Sequence, residues 1–284
     1  DWGDGSSDSN VTTDDKTHTY SGAGTYQVVI TNQFGALNMQ RASATERGYL
    51  TKMVQWGTDN IWSSIRYMFY ECSVMAYEAT DYPNITNLVE NAQITGLFYG
   101  CDSVVNLDLT NWTNTGNFTY AYQAFQGMGG LRSINLTGWD TSNITYISYM
   151  FYLSGDPVNG CDFIMPNLDM SSATQATNCF RSTNVKSMNI SGWTWRAAGV
   201  ALTSFLQDLD EGSSSGAFTI NAANWLPASG GSITNMSSFL RNTEATSIDL
   251  TGIDTSNVTS WAYAFYYNLK LTHITGLNGF DTSS

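Results

Sequence analysis

Charge is scarce in this chain. Asp, Glu, Lys and Arg make up 12% of its 284 residues, about half the usual share, and only eleven of them are basic. With a net charge of −13, it lacks the clustered Lys and Arg that nucleic-acid phosphates demand, and it is disfavoured at anionic membranes. Long apolar runs are missing too. None approaches the roughly 18 to 20 residues needed to span a bilayer, and no basic segment followed by an apolar stretch opens the chain. Histidine is reduced to His18 and His273, and no GxSxG, HExxH, P-loop or dinucleotide fingerprint occurs. The four cysteines, Cys72, Cys101, Cys161 and Cys179, contain no CxxC pair, so a zinc or redox centre is not expected. Cys72 and Cys101 fill the same slot of YEC and YGC, which suggests small buried thiols, with a disulfide as the alternative. No catalytic residues, no cofactor, no metal and no enzyme activity are therefore expected. A carboxylate pair for glycoside hydrolysis is the arrangement that 24 acidic residues leave open.

What fills the space is Ser, Thr, Asn and Gly, around a 42% hydrophobic content that is ample for a continuous core. The stretch LRSINLTGWDTSNITYISYMF at 131–151 returns as ATSIDLTGIDTSNVTSWAYAF at 245–265. From Ser133/Ser247 to Phe151/Phe265 the offset is constant and 12 of 19 paired positions are identical. Ile134 and Leu136 alternate with polar residues as in a short strand with one buried face. Gly138 and Asp140 to Asn143 are turn residues. Tyr146 to Phe151 is expected to form a helical or 3₁₀ turn, with Ile144, Ile147 and Phe151 on one face. Such a unit cannot bury its own apolar side, so the copies must stack as a solenoid. A Phe marks each unit, at 69, 98, 125, 151, 180, 205, 239 and 265. Strand slots are expected at Leu107/Leu109, Ile134/Leu136, Leu168/Met170, Met188/Ile190, Ile220 and Ile248/Leu250. Eight units at the spacing of paired strands give a rod on the order of 40 Å.

Two resemblances follow. Asp1-Trp2-Gly3-Asp4-Gly5-Ser6 with Thr17-His18-Thr19-Tyr20 and Gly24-Thr25-Tyr26 resembles the C-terminal half of a polycystic-kidney-disease (PKD) type β-sandwich. It implies a hairpin that turns at Ser21 to Gly24, with Tyr26, Val28 and Ile30 on one face. LTGWDTSNIT…YMFY and LTGIDTSNVT…YAFY resemble the BspA-like leucine-rich repeats, which implies a bacterial surface, protist or phage virion setting and brings no catalytic residues. The expected fold is mainly β with short helical or 3₁₀ turns. It is a leucine-rich-type repeat solenoid over 61–284, after a PKD-like β-sandwich fragment at 1–34 and a junction or cap at 35–60 with Val54 and Trp56 in a strand. Because the first family's early strands would precede Asp1, and Phe280-Asp281-Thr282 restarts the Trp139-Asp140-Thr141 slot, the sequence reads as a window from a longer polypeptide.

Three sets of residues are candidates for function. Trp112, Trp139, Trp193 and Trp225 share one slot, either as an exposed ladder for sugars or, because Ile253 replaces them in one unit, as core. Asp1, Asp4 and Asp8, with Asp14 and Asp15, could surround Ca²⁺, although the regular loop spacing and closing Glu are absent. Two insertions, 153–160 and 207–216, are expected to leave the stack as exposed loops, with Asp208, Asp210 and Glu211 facing a partner. The DTSN motif itself is what a turn needs to cap its own backbone. Nine N-x-[ST] sequons, Asn84, Asn111, Asn135, Asn143 and Asn257 among them, are by-products of the repeat. The expected function is a non-enzymatic extracellular display or adhesion module of a fibre, phage virion or bacterial surface protein, at the cell surface or on the virion. Its partner would be a host-cell surface protein or glycan, or neighbouring subunits, with no nucleic acid and no membrane insertion. A purely structural shaft or decoration protein is the alternative, and a glycan-degrading enzyme the third reading.

Overall fold

The computed structural model describes residues 1–9, 16–57, 59–86, 88, 93–210, 212–213, 216–227 and 233–277. Its centre is a parallel sheet of seven short strands: Asn106–Asp108, Ser133–Asn135, Cys161–Ile164, Val185–Asn189, Thr219–Asn221, Ser247–Asp249 and His273–Thr275. Spatial order equals chain order and every pairing is parallel. Each strand must therefore be followed by one full coil that returns the chain about 4.8 Å further along the axis. The chain is a β-solenoid. Leu107, Ile134, Phe163, Met188, Ile220 and Ile248 are in register across the sheet and all point into the core.

The unit expected around Leu168 and Met170 is corrected. Its sheet strand is Cys161–Ile164, while Asp169–Met170 joins Thr194–Trp195 and Leu226–Pro227 in a second sheet. The reason lies in the backbone. Gly138, Asn167, Gly192, Asn224 and Gly252 all have φ between 58° and 87°, a conformation only Gly and Asn adopt readily. Each lies three residues beyond a sheet strand and directly precedes the indole slot, so Leu168 is the counterpart of Trp139 rather than of Ile134. Beyond it, the Asp and Asn side chains cap their own turns as the DTSN motif implies. The Asp140 carboxylate accepts from Ser142 N–H and Oγ–H at 3.1 and 2.6 Å, and Asp254 accepts from Ser256 N–H at 2.9 Å. Asn143 Nδ2 donates to the Gly116 carbonyl of the preceding coil at 2.8 Å.

The segment expected to be helical is not. Tyr149 and Leu153 have φ of 59° and 58°, which a right-handed helix cannot contain, and the same four-residue spacing of left-handed residues recurs at 67/71, 96/100, 123/127, 178/182, 204/208, 238/242 and 263/267. The compensation is hydrogen bonding between coils and within each turn. Ile147, Tyr149, Phe151 and Leu153 donate their N–H groups to Gln175, Thr177, Cys179 and Arg181 of the next coil. Met150, Tyr152 and Ser154 donate back three residues, to Ile147, Tyr149 and Phe151. The carbonyls of Tyr146, Ser148, Met150 and Tyr152 accept from the preceding coil. A wall of turns is thereby bonded along the axis like a sheet.

Inside that wall, Phe98, Phe125, Phe151 and Phe180 form a column of parallel rings with centroids 6.0, 5.3 and 4.9 Å apart. The column breaks at Phe205, whose plane is turned 72° from Phe180. Measured from the left-handed residue, Phe205 and Phe239 sit one position earlier than the other six, and Leu206 and Leu240 take the vacated slot. The four cysteines are free and buried in the same interior. Cys101 donates its thiol hydrogen to the Phe69 carbonyl at 3.0 Å, and burial pushes the Cys72 thiol up to about 12.

At the N-terminal end the expected hairpin does not form, and residues 16–31 hold no strand. Asp1 and Val29 exchange backbone hydrogen bonds at 3.0 Å, and Trp2 stacks on His18 while Tyr20 stacks on Tyr26. Gln33–Ala36 then pairs in parallel with Ile61–Ser64, so the stack begins within the region expected to be a cap. Lys52–Met53 forms the strand expected slightly later, at Val54 and Trp56. Trp56 instead closes the core end, edge-on to Trp62, Phe69 and Trp112. Its indole N–H donates to Tyr77 Oη at 2.7 Å, and its own N–H and that of Gly57 donate to Asp81.

Candidate functional site

The tryptophan row is core. Trp112, Trp139, Trp193 and Trp225 are 1–4% exposed, as is Ile253 at 4%. Trp139, Trp193 and Trp225 each donate Nε1–H to a carbonyl of the preceding coil, Leu109, Met165 and Ile190, at 2.9, 2.7 and 2.6 Å. A buried indole with its one donor satisfied has nothing left to offer a ligand.

The N-terminal carboxylates are each occupied locally. Asp1 accepts from Gly3 N–H. Asp4 accepts from Ser6 N–H and Oγ–H and lies 2.8 Å from His18 Nε2. Asp8 accepts from Trp2 Nε1–H and pairs with Lys16. The Ser6 and His18 contacts hold the Asp4 carboxyl down at about 2. Asp14 and Asp15 lie outside the described residues. Among the described residues no group of three or more His, Cys, Asp or Glu side chains is placed to hold a metal ion.

The two insertions lie side by side. Ser213 N–H donates to the Pro157 carbonyl at 2.9 Å, and a side chain on Gly212 would strike Gly160 N at 2.8 Å. Asp208 and Asp210 remain in the stack. The Asp208 carboxylate accepts from Arg181 Nε–H, Gln207 Nε2–H and Asn242 Nδ2–H, and the Asp210 backbone bridges to Thr183 and Val185. Glu211 lies outside the described residues.

In the first insertion, partial burial pushes the Asp156 carboxyl up. The Arg132 Nε–H and the N–H groups of Val158 and Asn159 outweigh that and hold it well below the usual carboxylate range. A depressed folded-state pKa adds stability above the unfolded value, about 3.9, that is lost as pH falls through the folded one. Urea stability should therefore hold from neutrality to about pH 4 and decline below it. Asp156→Asn should lower the neutral value and flatten that decline, as a urea titration at several pH values would show.

Sequence reasoning missed the outer surface of the turn wall. Tyr67, Tyr70, Tyr99, Tyr122, Tyr146, Tyr149 and Tyr152 are half-buried there and Tyr120 is exposed. Over four successive coils they form two contacting groups, Tyr67, Tyr70 and Tyr99 in the first two and Tyr120, Tyr122, Tyr146, Tyr149 and Tyr152 in the next two. Tyr70 stacks on Tyr99 at 4.6 Å and Tyr120 on Tyr146 at 6.0 Å. Tyr122 stands nearly perpendicular to both Tyr146 and Tyr149, at 5.5 and 6.0 Å, and edge-on contacts join Tyr67 to Tyr70 and Tyr149 to Tyr152. Gly96, at φ +59°, leaves the space that the Tyr67 ring fills. Burial raises the Tyr70 and Tyr122 phenols. The available signal was the recurrence of Tyr one position after the marker Phe, at 70, 99, 152 and 266.

A family model described as "Mycoplasma protein of unknown function, DUF285" matches residues 63–195 and 213–284. The stretch between the two matches contains the displaced Phe205 and the start of the second insertion. No curated protein and no solved structure matches the chain.

Proposed function

The chain belongs to this DUF285 family, and from that premise we propose that it is a non-enzymatic extracellular display module, holding an ordered recognition surface on a fibre, a virion or a cell surface. The observation that carries the reading is the tyrosine wall. Aromatic side chains with polar tips are what recognition surfaces use most, and here they are fixed by ring contacts on a backbone whose hydrogen bonds are committed along the stack. The likeness of LTGWDTSNIT…YMFY to BspA-like repeats supports a surface setting. Incubating the purified chain with intact bacterial or animal cells and measuring the retained fraction tests the proposal. Saturable retention is expected, lost on thermal unfolding. Retention on no cell type, or release of reducing sugar from polysaccharide by the pure chain, overturns it.

The second reading is a purely structural shaft or decoration element in a self-assembled particle. Concentration-dependent sedimentation to large species without cell retention would favour it.

A further inference from the structure

We infer that the tyrosine wall from Tyr67 to Tyr152 is a binding site for an uncharged polysaccharide, an inference that rests on the display reading and names the ligand class of that surface. Charge selects the class. The chain carries −13, yet the turn segments QITGLFYGC at 93–101, YAYQAFQGM at 120–128 and YISYMFYLS at 146–154 contain no ionisable group except phenols and the buried thiol of Cys101. In the first coil, Glu71 pairs with Arg47 at 3.2 Å, and the Arg66 guanidinium sits 4.8 Å over the Tyr67 ring. The net negative charge repels uronic and sialic polymers, and beyond the first coil, where Arg47 and Arg66 lie over Tyr70 and Tyr67, the three turn segments supply no cation to hold them.

Shape selects within the neutral ligands. The coils advance by about 4.8 Å, close to the advance of one pyranose ring along an extended glycan, so four coils present aromatic contacts to consecutive sugars over roughly 15 Å. Neighbouring rings alternate between parallel, as in Tyr120 and Tyr146, and perpendicular, as in Tyr122 with Tyr146 and Tyr149. The wall therefore offers both ring faces for the apolar C–H sides of sugars and phenol edges for their hydroxyls. Because the rings already constrain one another, little side-chain entropy is lost on binding. A protein partner would be expected to bury aliphatic anchors as well. Among the wall's outward residues the exposed aliphatic one is Leu153, at its end.

The test is affinity electrophoresis of the full chain through gels containing dextran, mannan, galactan or mixed-linkage β-glucan, with alginate as the anionic contrast. At least one neutral polymer should retard the parent chain and alginate should not. The Tyr122→Ala/Tyr149→Ala variant should bind about tenfold more weakly, as expected for two lost ring contacts. The Tyr122→Phe/Tyr149→Phe variant should stay within about threefold, because the rings remain. Tyr263→Ala/Tyr266→Ala, at the far end of the stack, should match the parent. Should the alanine pair fail to fold, the parent chain alone decides: bound polymer must shield Tyr122 and Tyr149, relative to Tyr263, from nitration by tetranitromethane. Retardation by no neutral polymer, equal binding by the folded alanine pair, or absence of shielding overturns the inference. Cell retention that survives periodate oxidation of the cell glycans also overturns it while leaving the display reading intact, whereas absence of any retention removes both.

Discussion

Phe151→Ala is expected to destabilise the protein by about 3 to 5 kcal/mol, the range for removing a fully buried Phe side chain where the surroundings cannot collapse. Collapse is prevented on three sides. Phe125 and Phe180 lie parallel to the ring at 5.3 and 4.9 Å, and Phe163 meets it edge-on at 5.6 Å. Each of these rings is fixed by its own coil, and each coil is bonded to its neighbours through the turn wall. In a stack the damage also spreads, because an interior unit is stabilised by both interfaces. Tyr263→Ala, at a side chain 64% exposed, should change stability by no more than about 0.5 kcal/mol. Urea unfolding of the two variants measures the contrast. A loss below about 1 kcal/mol for Phe151→Ala would place the ring outside the core.

Trp193→Ala should cost a similar amount, about 3 to 5 kcal/mol, and should leave the Met165 carbonyl without its 2.7 Å donor. Trp193 is 1% exposed and sits among Phe180, Trp195, Phe205 and Trp225. This variant separates packing from recognition. Well below its melting temperature it should be retained on cells as the parent is, since no indole of this row reaches the surface. A platform for ligands would give the reverse pattern, with unchanged melting and lost retention.

The features that were legible in the sequence are those with residue-specific chemistry. Gly138 and Gly252 announce the strand end because few other residues take their φ, and Asp140 and Asp254 announce the capped turn that follows. Alternation at Ile134/Leu136 and Ile248/Leu250 placed two strands in one sheet, and substitution of Trp by Ile253 pointed to a buried slot. The turn wall hid its conformation for the opposite reason. Its left-handed positions are filled by Tyr67, Gly96, Gln123, Tyr149, Asn178, Ser204, Ser238 and Tyr263, which share no side-chain property. Tyrosine at positive φ costs on the order of 1 kcal/mol, and what tolerates it is the inter-coil bonding of the neighbouring N–H groups, a nonlocal term. Spacings of three and four among Ile144, Ile147 and Phe151 then imitate a helix while arising from turns. The slip at Phe205 was invisible because Phe-Leu and Met-Phe are equally apolar pairs. Asp208 looked like a free loop acid because its partners, Arg181 and Asn242, belong to the coils on either side. The tyrosine surface was passed over because a helix would have distributed those rings around its circumference.

Amide hydrogen exchange followed residue by residue across 146–154 tests the central claim most directly, namely that the tyrosines stand on a rigid hydrogen-bonded wall. Tyr149 and Phe151, which donate to the next coil, and Met150 and Tyr152, which donate back to their own turn, should all exchange as slowly as Ile134 in the sheet, through a common opening of the stack. Slow exchange at Ile134 with fast exchange at Met150 and Tyr152 would make the segment a solvated loop, and the account of an ordered display surface would be contradicted.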